Sequence, residues 1–176
     1  GVIGNNTGST ARGAIIGAVV GGTAGAIIGH QMDQQAKELK FEIPGAIVER
    51  VGEGIQVTFA SGILYDFDSD VIRVEAGQNL QSLASSLKKY PNTQLLIVGH
   101  TDALGTTEYN QDLSARRASS ASRYLAVLGL GASRMQTFGK GEWEPLAVNG
   151  TEAGRQLNRR IEVAIFAGEK TRTAAR

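Results

Sequence analysis

A chain of 176 residues is long enough for one domain with a sizeable core and an appended segment. Its 18 lysines and arginines against 17 acids leave a formal charge of +1, so composition excludes nucleic-acid binding by a broadly basic surface. Having no cysteine, these residues hold no disulfide framework, thiolate metal site or cysteine nucleophile.

The N-terminal stretch GAIIGAVVGGTAGAIIG sets Gly13, Gly17, Gly21, Gly25 and Gly29 four residues apart. On a helix that spacing lines up one face, predicting a smooth groove flanked by paired β-branched residues. Glycine costs a helix about 1 kcal/mol relative to alanine, and close helix–helix packing through the groove is the compensation the pattern suggests. The uncharged run between Arg12 and His30 is about seventeen residues, at the lower limit for spanning a bilayer. Three readings stay open: a flexible leader, one self-associating membrane helix, or two short helices folded back at Gly21-Gly22-Thr23. Residues 1–29 are read as a membrane or assembly segment, inserting or self-associating through 13–29.

From His30 to Phe41 the pattern is a polar helix with Met32, Ala36 and Leu39 on one stripe, and Pro44-Gly45 ends it. Residues 30–44 are therefore a helical connector, 45–168 a compact domain, and the closing EKTRTAAR, 169–176, a disordered basic tail. AIVERVGEGIQVTF predicts a hairpin around Gly-Glu-Gly, with Ile55, Val57 and Phe59 alternating. After the acidic turn YDFDSD comes a helix carrying Leu80, Leu83, Ala84 and Leu87, which stops before Pro91. QLLIVGH, apolar on both faces, reads as a central strand. A second helix, from about Asn110 to Leu128, turns Ala118, Ala121, Leu125 and Leu128 inward and ends at GLG. MQTFGKG is a short strand, and NRRIEVAIF the last, with Ile161, Val163 and Ile165 on one face. Strands alternating with helices point to an α+β domain, a mixed sheet with helices on one face.

Three polar stretches fall at strand ends or helix starts: DFDSD, HTDALGTTEYNQDLSARRA and LNRR. Converging at one sheet edge, they would pool Asp66, Asp68, Asp102, Asn110, Ser114, Arg117, Arg159 and Arg160. Acids beside arginines suit a zwitterion, since a carboxylate takes an ammonium while a guanidinium forks onto a carboxylate. Plainer roles compete. Asp66, Asp68 and Asp70 are candidate helix caps, Asn110 is a candidate N-cap, and Arg116 reads as a solvated charge. His100 beside Asp102 suggests a dyad, but no serine, cysteine or second histidine is spaced to complete it. Glycosidase chemistry needs one acid with a raised pKa, whereas neighbouring arginines favour two ionised acids. No metal cluster and no cofactor site is apparent. The residues alone lead to a binding site for a small zwitterionic group.

At these positions the chain resembles the OmpA-like peptidoglycan-binding domain family. YDFDSDVI resembles its first-loop motif, VGHTDALG its strand-and-loop motif, and NQDLSARRASSASRYL its N-x-x-L-S-x-x-R-A helix. FGKGEWEPLAVNGTEAGRQLNRRIEV resembles the closing segment, and the likeness covers roughly 46–167. It implies a β-α-β-α-β-β mixed sheet and non-covalent binding of the peptidoglycan stem peptide through diaminopimelate. By position it implies that Asp102 takes the diaminopimelate ammonium and Arg117 its carboxylate. Asp66, Thr101, Asn110, Leu113 and Arg159 fall where supporting contacts are usual. Tyr65 stands where phenylalanine is frequent, and Arg116 adds a charge the motif does not require. A glycine-zipper leader before such a domain resembles YiaD-type outer-membrane lipoproteins, implying a lipidated cysteine upstream.

The expectation is a non-enzymatic tether in the periplasm, associated with the outer membrane and gripping the cell wall, with a larger envelope complex possible. The alternative is a structural subunit whose zipper drives a homo-oligomer, wall binding being secondary. A wall-cutting hydrolase is a third and less supported reading.

Overall fold

A computed structural model of the protein describes residues 16–17, 19 and 26–168. Gly13, Gly21 and Gly25 and the tail 169–176 lie outside the described residues. In chain order come α1 (Ala26–Glu42), β1 (Ile47–Val51), β2 (Gly54–Ala60) and the single turn α2 (Ser61–Leu64). They are followed by α3 (Gly77–Lys89), β3 (Thr93–His100), α4 (Thr107–Val127), β4 (Met135–Gly141), α5 (Glu152–Asn158) and β5 (Arg160–Ala167).

The hairpin around Gly-Glu-Gly forms, pairing Ile47 with Thr58 and Val51 with Gly54, and Gly52 takes a φ of 55° in the turn. Only a residue without Cβ adopts that angle at little cost. The five strands lie in the order β1-β2-β5-β3-β4. All neighbours are antiparallel except β3 and β4, whose parallel pairing requires the crossover that α4 provides. From β2 onward the chain runs β-α-β-α-β-β, with the short α5 set between the last two strands. The apolar run QLLIVGH lies inside the sheet between β5 and β4, which is why both of its faces are buried.

One sheet face carries Ile55, Val57, Phe59, Leu95, Ile97, Ile161, Val163 and Ile165. Leu80, Leu83 and Leu87 of α3 and Ala118, Ala121 and Leu125 of α4 complete this core. Met32, Ala36 and Leu39 of α1 belong to the same cluster. The α1 helix is also bonded to its neighbours, through Gln35 Nε2 to Ser86 Oγ at 3.0 Å and Lys89 Nζ to Glu38 at 2.9 Å.

The α4 helix lies unusually close to the sheet because two glycines let it. A Cβ built on Gly99 would overlap the Ser114 carbonyl oxygen, and one on Gly139 would lie 2.5 Å from Ala115 N. This contact fixes the start of α4 beside the loop leaving β3.

The opposite sheet face is only partly apolar. Leu96, Val98 and Ala164 pack with Ile16, and Val19, Val51 and Phe166 rest against them. Next to this cluster a charged network is buried: Arg160 Nε donates to Glu162 at 2.7 Å, and His100 Nε2 lies 3.1 Å from the same carboxylate. Among the described residues no helix is long and apolar enough to cross a membrane. Among the described residues, a Cβ on Gly17 or Gly29, the two described zipper glycines, would meet nothing within 4 Å.

Candidate ligand-binding site

The loop leaving β3 is shaped by its own polar groups. Thr101 N donates to Gly141 O at 2.8 Å, Gly105 turns the chain with a φ of 86°, and Thr106 caps α4 by accepting from Tyr109 N. Asn110 is therefore not the N-cap. It sits inside the first turn of α4, where its Nδ2 donates to Asp102 O at 3.2 Å, Leu104 O at 2.9 Å and Glu142 Oε1 at 3.0 Å. One amide thereby folds the loop back onto its helix.

Beside this loop opens a cavity of about 570 Å³. Asp66, Thr101, Asp102, Asn110, Leu113, Arg117 and Arg159 all line it, as do Tyr65, Phe67, Asp68, Leu104, Tyr109 and Glu152. Arg160 and Ser114 of the polar pool do not. Arg160 is held in the network on the opposite sheet face, and Ser114 Oγ is used between α4 and β4, donating to Gln111 O and accepting from Gly141 N. His100 is turned to the same far face toward Glu162, so it forms no dyad with Asp102.

The two central charges differ in how they are satisfied. Asp102 is already paired, accepting from Arg159 Nη1 at 2.7 Å and from Leu104 N at 3.0 Å. Arg159 also reaches Glu152 at 2.6 Å, and that bond holds the Glu152 carboxyl below its ordinary value. Arg117 is 6% exposed, and no carboxylate among the described residues lies within ion-pair distance of it. Its Nε donates to Ser69 O at 2.8 Å, its Nη2 to Asp66 O at 3.2 Å, and its guanidinium stacks 4.9 Å from the Tyr65 ring centre. Burial pushes the pKa of this guanidinium down. Burial likewise pushes the Tyr65 phenol up, keeping it a neutral donor to Arg117 O at 2.6 Å.

The acidic first loop is clasped to α4 rather than capping the next helix. The helical turn at Val74–Ala76 has Arg73 as its N-cap, without a side-chain bond. Asp70 instead pairs with Arg116 Nη1 at 2.9 Å, Asp68 accepts a short bond from Tyr109 Oη, and Asp66 lies 3.6 Å from Arg73 Nε. Arg116 also reaches Asp112 at 2.6 Å, so it ties loop to helix instead of standing free. Phe67, Tyr109 and Glu152 are site residues that sequence reasoning passed over, and Tyr65 was noted only as standing where phenylalanine is frequent. The aromatic set among the acids in YDFDSD is the one signal that marked any of them. Among the described residues no cluster of three His, Cys, Asp or Glu could hold a metal. An acid on one wall and a buried guanidinium on another can hold a ligand bearing both an ammonium and a carboxylate.

Comparison with known proteins gives the family and the fold. Residues 64–159, more than half of the chain, match the OmpA family, and residues 1–36 match a glycine zipper family. The probable lipoprotein YiaD of Escherichia coli strain K12 is 34% identical over 167 residues, covering 94% of this chain and 76% of that protein. The peptidoglycan-associated lipoprotein of Burkholderia pseudomallei, 36% identical, has a TM-score of 0.55 over 58% of this chain and 87% of its own. The cell wall anchor of the T6SS from Pseudomonas aeruginosa, 28% identical, has a TM-score of 0.66 over 77% of this chain and 96% of its own. The chain carries a glycine zipper followed by a mixed-sheet domain, and it belongs to the OmpA family.

Proposed function

We propose that the chain is a non-catalytic tether that grips peptidoglycan through the diaminopimelate of the stem peptide. The observation that carries this reading is Arg117, a buried guanidinium on a cavity wall with no carboxylate within ion-pair distance among the described residues. Held by two carbonyls and an aromatic ring, it still gains from a ligand carboxylate entering the cavity. Asp102 takes the ligand's ammonium while keeping Arg159 as its second partner, and Thr101, Asn110, Leu113, Asp66 and Arg159 shape the walls. The named relatives, a peptidoglycan-associated lipoprotein and a cell wall anchor, support the same reading. The place of action is the periplasm, at the outer membrane, where the zipper segment 1–29 inserts or self-associates.

A second reading gives the zipper the leading role, as the contact that builds a homo-oligomer. The open space at Gly17 and Gly29 supports it, because among the described residues nothing lies within 4 Å of a Cβ on either glycine. Solution mass with and without residues 1–29 separates the two. The wall reading is tested by incubating the full chain with purified sacculi. Retention that free diaminopimelate competes away, with no new soluble fragment, is the expected result. Lack of retention, or release of wall fragments, overturns it.

A further inference from the structure

The cavity has an apolar rim that a zwitterion does not need. Phe67 is 97% exposed, and Leu104 and Tyr109, at 59% and 41%, line the same cavity. They come from three different elements: the first loop, the loop leaving β3, and α4. Phe67 occupies the second position of a turn closed by Ser69 N to Asp66 O at 3.1 Å. The third position, Asp68, has a φ of 60°, a left-handed conformation that few residues besides glycine, asparagine and aspartate adopt. That turn is held from outside. Arg117 bonds the carbonyls of Asp66 and Ser69, and Tyr109 bonds the Asp68 carboxylate. Strained backbone persists only where its surroundings over-determine it, and such places are commonly functional. Here the clasped turn presents an uncovered aromatic ring between two exposed carboxylates.

We propose that Phe67, with Leu104 and Tyr109, forms a second subsite that takes the face of a pyranose ring of the glycan strand. This rests on the stem-peptide reading above. A benzene face carries negative quadrupole charge, which suits the C–H groups on the flat side of a pyranose. Asp66 and Asp68 on either side accept hydrogen bonds from sugar hydroxyls. An alanine methyl asks for a closed groove, whereas Phe67 stands with its ring open to solvent. Reach permits it: the backbone of the two residues between diaminopimelate and the sugar alone spans about 7 Å when extended, and the γ-linkage of the glutamate adds to this, so the sugar can lie on the cavity's rim. Glu152 and Arg159, which line the same cavity, are already paired with each other.

The test is calorimetric titration of the full chain with two ligands: the free L-Ala-D-Glu-diaminopimelate tripeptide, and the same peptide on its N-acetylglucosaminyl–N-acetylmuramyl disaccharide. The disaccharide form is expected to bind roughly three- to tenfold tighter. In Phe67→Ala that ratio falls to about one, and in Phe67→Trp, which keeps an aromatic face, it is retained. Equal affinities in the wild type overturn the sugar subsite and leave the stem-peptide reading standing. A ratio unchanged by Phe67→Ala also overturns it, and shows that the sugar binds elsewhere. Failure of both ligands to bind overturns the stem-peptide reading and this inference together.

Discussion

Replacing Arg117 by methionine separates binding from stability in a way alanine cannot. Two guanidinium bonds, to Ser69 O and Asp66 O, disappear with the charge. Hydrogen bonds to a charged group contribute about 1.5–3 kcal/mol each, so the gross loss is about 3–6 kcal/mol. Two effects offset it. The carbonyls belong to a loop at the surface, where water takes over their bonding. The burial cost of an ion without a carboxylate partner, several kcal/mol in proteins, also vanishes. Methionine keeps an apolar stem against the Tyr65 ring and leaves little empty space. The net change in folding stability should therefore fall within about 2 kcal/mol of zero. Ligand binding should drop at least about tenfold, since one charged pair to the ligand carboxylate is lost. Urea unfolding gives the first number and calorimetry with a diaminopimelate muropeptide the second. Methionine at this position binding the muropeptide as tightly as arginine refutes the role assigned to the guanidinium.

Other expectations follow from the packing and the buried charges. Gly99→Ala forces α4 away from β3, because its methyl overlaps Ser114 O. It should cost about 1–3 kcal/mol and lower Tm by roughly 4–10 °C, and a Tm within a degree of wild type contradicts the close contact. Leu39→Ala empties a core position on α1 and should cost about 2–5 kcal/mol in urea unfolding, whereas a connector lying free of the domain would lose almost nothing. Burial pushes Glu162 up, but the bond from His100 and the charge of Arg160 outweigh it and hold the carboxyl below its ordinary value. A depressed acid contributes stability above its unfolded value, about 4.3, and that contribution is lost as pH falls through the lower folded value. Glu162→Gln should cost about 3–5 kcal/mol at neutral pH and flatten the acid limb of stability against pH, and an unchanged acid limb would speak against the pair.

Much of the site is written in spacing, and the rest in contacts that spacing does not carry. Seven residues spread from Asp66 to Arg159 line one cavity because the first loop, the loop leaving β3, the first half of α4 and the segment entering β5 meet there. Which polar group caps α4 was not legible. Thr106 and Asn110 are both capping types, and the choice fell to the side chain that reaches Tyr109 N. Nor were the partners of Asp66, Asp68 and Asp70, since Arg73, Tyr109 and Arg116 meet them only when the first loop docks on α4. The seven residues of α5 bury Gly154 and Asn158 and no apolar stripe, so no period marks that helix. Arg160 joins the polar pool because it follows Arg159 in LNRR, but successive residues of an extended strand point to opposite faces, so Arg159 meets Asp102 and Arg160 meets Glu162.

The central claim is that a carboxylate-bearing side chain is read in this cavity. Diaminopimelate ends in an ammonium and a carboxylate, whereas a lysine stem offers the ammonium alone. With lysine, Asp102 keeps its partner and Arg117 stays buried without one. Titrating the full chain with matched diaminopimelate and lysine muropeptides should show a preference of about 1–3 kcal/mol for the first, or roughly five- to a hundredfold. Equal affinities for the two stems would mean that Arg117 does not read the carboxylate.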